Sequence, residues 1–144
     1  MVEQDTIRLL RECDAGIRMG MDSIANVVEH VESQELRRCL VQCRDAHQQL
    51  EAEIRTLLQR YQDKGKAPDP VVKSMAHLKT AAKRGINDSD ETIASLMTDG
   101  CNMGVKSLSR YLNQYQAADE QSKDIAKRLI ALEEQLVVDI RSFL

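Results

Sequence analysis

The chain has 144 residues, with 20 basic against 23 acidic side chains, a net charge of −3 and a sequence pI of about 5.6. That length suits one domain able to bury a continuous core, and the acidic balance argues against nucleic acid as a partner. With no tryptophan and a single phenylalanine, the apolar content rests on Leu, Ile, Val, Ala and Met, which is helix-bundle composition.

The N-terminus, Met1 to Asp5, is polar, and no segment approaches the roughly 20 apolar residues of a spanning helix. A cytoplasmic protein that does not enter membranes is expected. Cys13, Cys39, Cys43 and Cys101 all fall inside helical patterns, which suits reduced thiols better than a disulfide framework.

In chain order, the first helix carries apolar residues at heptad spacing through Ile7, Leu10, Ile17, Met21, Ile24, Val28 and Val31. Asp14 is the polar exception on that seam. Ser33 is the expected N-cap of a second helix with Glu35 in its first turn, so the loop is short and the two helices are antiparallel. The second seam runs Leu36, Leu40, Cys43, Leu50, Ile54, Leu57 and Tyr61, interrupted by His47.

A segment from about Gln62 to Ser89 is too long for a tight turn. Asp69-Pro70 reads as an N-cap followed by proline at the first helical position, and Gly85 as a C-terminal stop. A short fifth helix from Pro70 to Arg84 is therefore expected in this crossover. The next long helix starts at Asp88 or Ser89, with Glu91 completing a capping box.

The second half repeats the first. Arg18 to Ile24 returns as Asn102 to Leu108, and Ile54 to Leu58 returns as Ile140 to Leu144, with Gly20 and Gly104 separated by 84 residues and Ile54 and Ile140 by 86. Two blocks in the same order at nearly one spacing indicate a duplicated helical hairpin, so a central site would be built from matched positions. The offsets set the third seam at Ala94, Cys101, Val105, Leu108, Leu112 and Tyr115, with Thr98 at the Asp14 position. The fourth falls at Ala126, Leu129, Leu136, Ile140 and Phe143, with Glu133 at the His47 position. The chain thus divides into a hairpin over about 4–62, a crossover over 63–88 and a hairpin over about 89–144, within a single domain over 1–144.

Two hairpins joined by a long crossover, the stretch Leu10-Arg11-Glu12-Cys13-Asp14-Ala15-Gly16, the Glu35-Leu36-Arg37 start and the Gly100 stretch together resemble the ferritin-like superfamily, and within it small bacterial proteins of unknown function. The resemblance implies an all-α four-helix bundle. In catalytic members it implies a di-metal centre with one carboxylate on each of the first and third helices and Glu-x-x-His on each of the second and fourth. Carried onto this sequence, the histidine falls on His47, but Arg44 stands three residues before it. The matching positions of the fourth helix are Ile130 and Glu133, and the carboxylate positions are Asp14 and Thr98. Such a centre needs about four carboxylates and two histidines, so loss of the di-iron site is expected, with no cofactor and no catalytic residues.

Register points the same way. Asp14 lies 19 residues before Ser33 and His47 lies 14 after it, a mismatch of roughly 7 Å along the axis at about 1.5 Å per residue. Asp14 is expected nearer Glu51 or Glu53.

The repeat makes His47 and Glu133 equivalent, and a buried hydrogen-bonded pair is expected, since pairing offsets desolvation and favours the protonated imidazole. Cys39, Cys43, His47 and Glu51 also stack along one stripe at four-residue spacing. Thiolate and imidazole suit Cu(I) or Zn(II), so a single transition-metal ion held by Asp14, His47, Glu51 and Glu133, or by Cys39 and Cys43, is the alternative. Buried cysteine more simply behaves as a small hydrophobe.

Gly16, Gly20, Gly100 and Gly104 sit inside helices, each costing about 1 kcal/mol against alanine. Close approach of the first and third helices, or of a second subunit, is the expected reason, and a gap for a small ligand the alternative. Between Asp63 and Arg84 six basic residues face two acidic ones, a net of +4 that leaves −7 on the rest. This strap is expected to dock on the acidic bundle. The function expected is a non-catalytic structural or protein-interaction module, binding a protein partner or itself as a homodimer.

Overall fold

Caps and chain reversals, more than the apolar stripes, decide how the helices stack. In the computed structural model the described residues are 2–66 and 89–144. Helix α1 covers Val2–Val27 and continues as a short 3-10 turn, Val28–His30. Helix α2, Gln34–Arg60, is capped by Ser33, whose hydroxyl accepts from the Leu36 amide. Helix α3, Asp90–Gln114, is capped by Ser89 through the Thr92 amide, and α4, Glu120–Ile140, by Asp119 through the Ser122 amide. The described residues hold no strand.

Ser33 caps as expected. Ser89, not Asp88, caps α3, which puts Glu91 one residue short of the position a capping box needs. The expected fifth helix, Pro70 to Arg84, lies outside the described residues, as does most of the basic crossover.

The chain runs up, down, down and up. Asp90, at the start of α3, accepts from the amides of Glu32 and Ser33 at 2.9 Å each, so α3 begins beside the α1–α2 turn. At the opposite end, the amides of Ala117 and Asp119 donate to Asp5 and Thr6 near the start of α1. Thus α3 is parallel to α2 and antiparallel to α1, and α2 ends at the far end of the bundle from where α3 starts. The packed pairs include α1 with α2, α3 with α4, α2 with α4 and α1 with α3.

The core forms two clusters stacked along the axis. One joins Leu9, Leu10 and Ile17 to Leu50, Ile54 and Leu58, with Leu108, Ile125 and Leu129 from the second hairpin. The other joins Ile24 and Val27 to Leu36 and Leu40, with Ala94, Met97, Leu136 and Ile140. Burial of each large apolar side chain contributes roughly 1.5–3 kcal/mol. Of the expected seams, α2 buries every member but half-buried Tyr61. In α1, Ile7, Met21 and Val28 are only half-buried, while Leu9 and Val27 are buried instead. The α1 stripe is rotated because it packs against α4 as well as α2.

On every helix the change of cluster comes at one level. It falls between Ile17 and Ile24 on α1, Cys43 and Leu50 on α2, Cys101 and Leu108 on α3, and Leu129 and Leu136 on α4. In those gaps stand Gly20, His47, Gly104 and Glu133.

Candidate functional site

Register brings these four residues together. Gly20 lies 13 residues before Ser33 and His47 lies 14 after it, so in an antiparallel hairpin they meet at one height. Gly104 lies 15 residues before Asp119 and Glu133 14 after it, which gives the second hairpin the same meeting. A Cβ on Gly20 would stand 2.9 Å from His47 Nε2, and one on Gly104 would fall 2.8 Å from Glu133 Cδ. Real side chains essentially never come so close, so these glycines clear room for the two polar side chains. The expected reason, close approach of α1 and α3, is replaced at these two positions by clearance within each hairpin. Gly16 differs, because its added Cβ would touch only Leu129, at 3.8 Å.

Around this level lies a cavity of about 90 Å³. Its lining contains Gly16 and Gly100, Met19 and Met103, Gly20 and Gly104, Ser23 and Ser107, and Ile24 and Leu108, five pairs each 84 residues apart. His47 and Glu133, 86 apart, make a sixth. Cys43, Cys101, Met97 and Leu136 close one end, and Glu12 and Tyr111 lie at the other.

His47 is 2% exposed and Glu133 7%. His47 Nδ1 lies 2.7 Å from the Cys43 carbonyl oxygen. A carbonyl only accepts, so Nδ1 carries the proton and Nε2 is a bare acceptor in the neutral ring. Burial lowers the His47 pKa, opposed by that bond to Cys43. Burial alone pushes the Glu133 carboxyl up to about 8, so it is protonated at neutral pH and able to donate. His47 Nε2 and Glu133 Oε2 both lack a hydrogen-bond partner, and an unsatisfied buried polar atom costs about 1–3 kcal/mol. The expected direct His47–Glu133 hydrogen bond is therefore corrected: both residues are buried, but each ring or carboxyl is directed at its own hairpin's glycine. The expected rise in imidazole basicity is reversed with it.

Asp14 belongs elsewhere. It is fully buried, with Arg18 at 3.2 Å, Arg55 at 3.5 Å and the Lys66 amide at 3.2 Å. Burial raises its pKa, opposed by the Lys66 amide and Arg18. Arg55 lies eight residues beyond His47 on α2, roughly 12 Å along the axis, in the direction the register indicated. The same latch holds the chain leaving α2. Asp63 pairs with Arg11, Arg55 donates to the Lys64 carbonyl, and Lys66 meets Glu12 at 2.6 Å. Gly65 has φ +82, and a Cβ there would run into the Asp14 carboxylate. The described start of the basic segment thus docks on α1.

The metal alternatives lose their geometry. Glu51 lies 4.0 Å from Arg55, its neighbour one turn along α2, and Cys39 is half-buried beside the upper cluster. Cys43 and His47 do line the cavity. Among the described residues no three His, Cys, Asp or Glu side chains are grouped to hold an ion. Nor do the six positions suit a di-metal centre: Asp14 is engaged by arginines, the Thr98 hydroxyl donates to Ala94 at 2.8 Å, and Arg44 and Ile130 supply no carboxylate. Three of the four thiols are held protonated, since burial raises the Cys13 and Cys43 pKa values to about 12 and that of Cys101 upward as well.

Glu12, Ser23, Ser107 and Tyr111 are lining residues that the apolar seams leave out. The serines were accessible to the 84-residue offset applied outside the seams; Glu12 and Tyr111 carry no repeat signal. No described helix is long and apolar enough to cross a membrane. No family model matches the chain, and neither a curated protein nor a solved structure matches it.

Proposed function

We propose that this chain is a ferritin-like bundle, built by duplication of a helical hairpin, that has lost the di-metal centre and works without catalysis by holding a small molecule at its middle. The observation that carries this reading is the cavity at the break between the core clusters, lined by six matched pairs that include two unpartnered buried polar atoms. Protein interiors are otherwise packed as densely as organic crystals, and a role limited to rigidity gives no reason for glycine at positions 16 and 100 of this lining. The up-down-down-up order with one long connection supports the ferritin-like assignment, and the donors at the six ligand positions support loss of the metal centre. A purely structural or protein-interaction role has less behind it. Among the described residues the large exposed apolar side chains are Val2, Met103, Val138 and Leu144, on three helices and the C-terminus, which give no continuous apolar face in sequence.

Xenon tests the reading, because it enters apolar protein cavities without needing polar contacts. Methyl NMR under xenon pressure is expected to shift Met19, Ile24, Met97 and Leu108 while Leu9 and Ile125 stay still. Unmoved cavity methyls would dispose of a binding function at this place.

A further inference from the structure

The two orphan polar atoms say which guests the cavity suits. We infer that it takes an uncharged molecule of about four heavy atoms whose hydroxyl, or an equivalent donor–acceptor group, is held by His47 Nε2 and the Glu133 carboxyl while its hydrocarbon part lies among Met19, Ile24 and Met97. This inference rests on the reading of the bundle as a binding protein.

Size comes from volume. A dry cavity of about 150 Å³ accommodates benzene, with six heavy atoms, so about 90 Å³ accommodates roughly four. Polarity comes from the lining. Apolar walls with a few placed polar groups are the usual form of a small-ligand site, and here those groups are His47 and Glu133, each buried beyond nine-tenths. They are also complementary: neutral imidazole offers a lone pair at Nε2, because its other nitrogen is committed to the Cys43 carbonyl, and a carboxylic acid offers a proton. A hydroxyl has a proton to donate to the first and lone pairs to accept from the second.

Charge comes from the described lining. Its ionisable residues are Glu12, Cys43, His47, Cys101, Tyr111 and Glu133. Glu12 is paired with Lys66, burial raises both thiols, and the Tyr111 hydroxyl is likewise held protonated by burial and by Glu12. Among the described residues no lysine or arginine lines the cavity. An anion would find no cation in that lining, and an ammonium group would first have to remove the proton from Glu133.

The test compares 1-propanol, propionate and propylammonium, three molecules of nearly one size, with xenon as the apolar reference, in the full-length protein at neutral pH. Methyl shifts give each affinity, and the ¹⁵N shift of His47 Nε2 reports whether it accepts a hydrogen bond. Propanol is expected to bind at least tenfold more tightly than either ion and to move the Nε2 resonance, which xenon leaves in place. Glu133→Leu should weaken propanol roughly tenfold and spare xenon, while Glu133→Gln, which keeps a donor, should retain propanol. If xenon binds but propanol is no better than the two ions, or leaves Nε2 unmoved, the ligand class is overturned and the binding function stands. If xenon fails as well, both fall.

Discussion

Two of the half-buried helix glycines, Gly20 and Gly104, are explained by the side chain each one faces. Gly104 has no space for a Cβ beside Glu133, Gly20 has little beside His47, and Gly16 meets only Leu129 at an ordinary contact distance. Alanine is favoured over glycine in a helix interior by about 1 kcal/mol, so the sign at each position depends on what the new methyl meets. Gly16→Ala is expected to stabilise by about 0.5–1 kcal/mol. Gly104→Ala should forgo that gain, because the new methyl displaces the Glu133 carboxyl, and Glu133→Ala in the same chain should restore it. Urea melts of the three variants and the parent check this, and equal effects at positions 16 and 104 would contradict the clearance argument.

Among the elements, α3 is located by one residue. Asp90 fixes its start against the α1–α2 turn by accepting from two backbone amides, which that turn has no other described group to satisfy. Asp90→Ala should cost about 0.5–1.5 kcal/mol, the range for a lost hydrogen bond whose donors solvent can partly reach. Hydrogen exchange should show the extra opening at Glu32, Ser33 and the first turn of α3, not at the Asp119 end. Exchange that accelerates evenly along the chain would mean that the contact carries no local role. The cap at Ser33 was legible in the sequence and that of α3 was narrowed to Asp88 or Ser89, because a small polar residue just before a periodic apolar stretch is a local signal. The Asp90 contact was not, since its partners lie 57 and 58 residues away and no spacing rule reaches that far.

For the whole molecule, the level at which the two core clusters part is also where its stability responds to pH. The folded protein keeps the Glu133 proton up to about pH 8, whereas the unfolded chain releases it near 4.5. Between those values the folded state holds the extra proton, so stability falls as pH rises, by at most about 1.4 kcal/mol per pH unit. His47 acts oppositely. Its folded pKa lies below the ordinary 6.5, so its contribution is lost as pH drops beneath that value. Calorimetry should show the melting temperature rising as pH is lowered from about 8 to 6.5 and then levelling where the two slopes oppose each other. Glu133→Gln should flatten the alkaline limb; an unchanged limb would mean that Glu133 is ionised in the folded protein.

The four described helices, the Ser33 cap and most of the buried stripe followed from the sequence alone, because periodicity is a property of a chain read along its length. The sequence also indicated that Asp14 and His47 would miss each other, since register in a short-looped hairpin is a matter of counting. Only the tertiary structure decided that His47 and Glu133 each face a glycine of their own hairpin, that Asp14 closes a latch with Arg18, Arg55 and the Lys66 amide, and that a cavity separates the two core clusters. The physical reason is one of direction: a seam tells which side chains turn inward, but what an inward side chain meets depends on how far neighbouring backbones stand apart, and that distance is set by all four helices together.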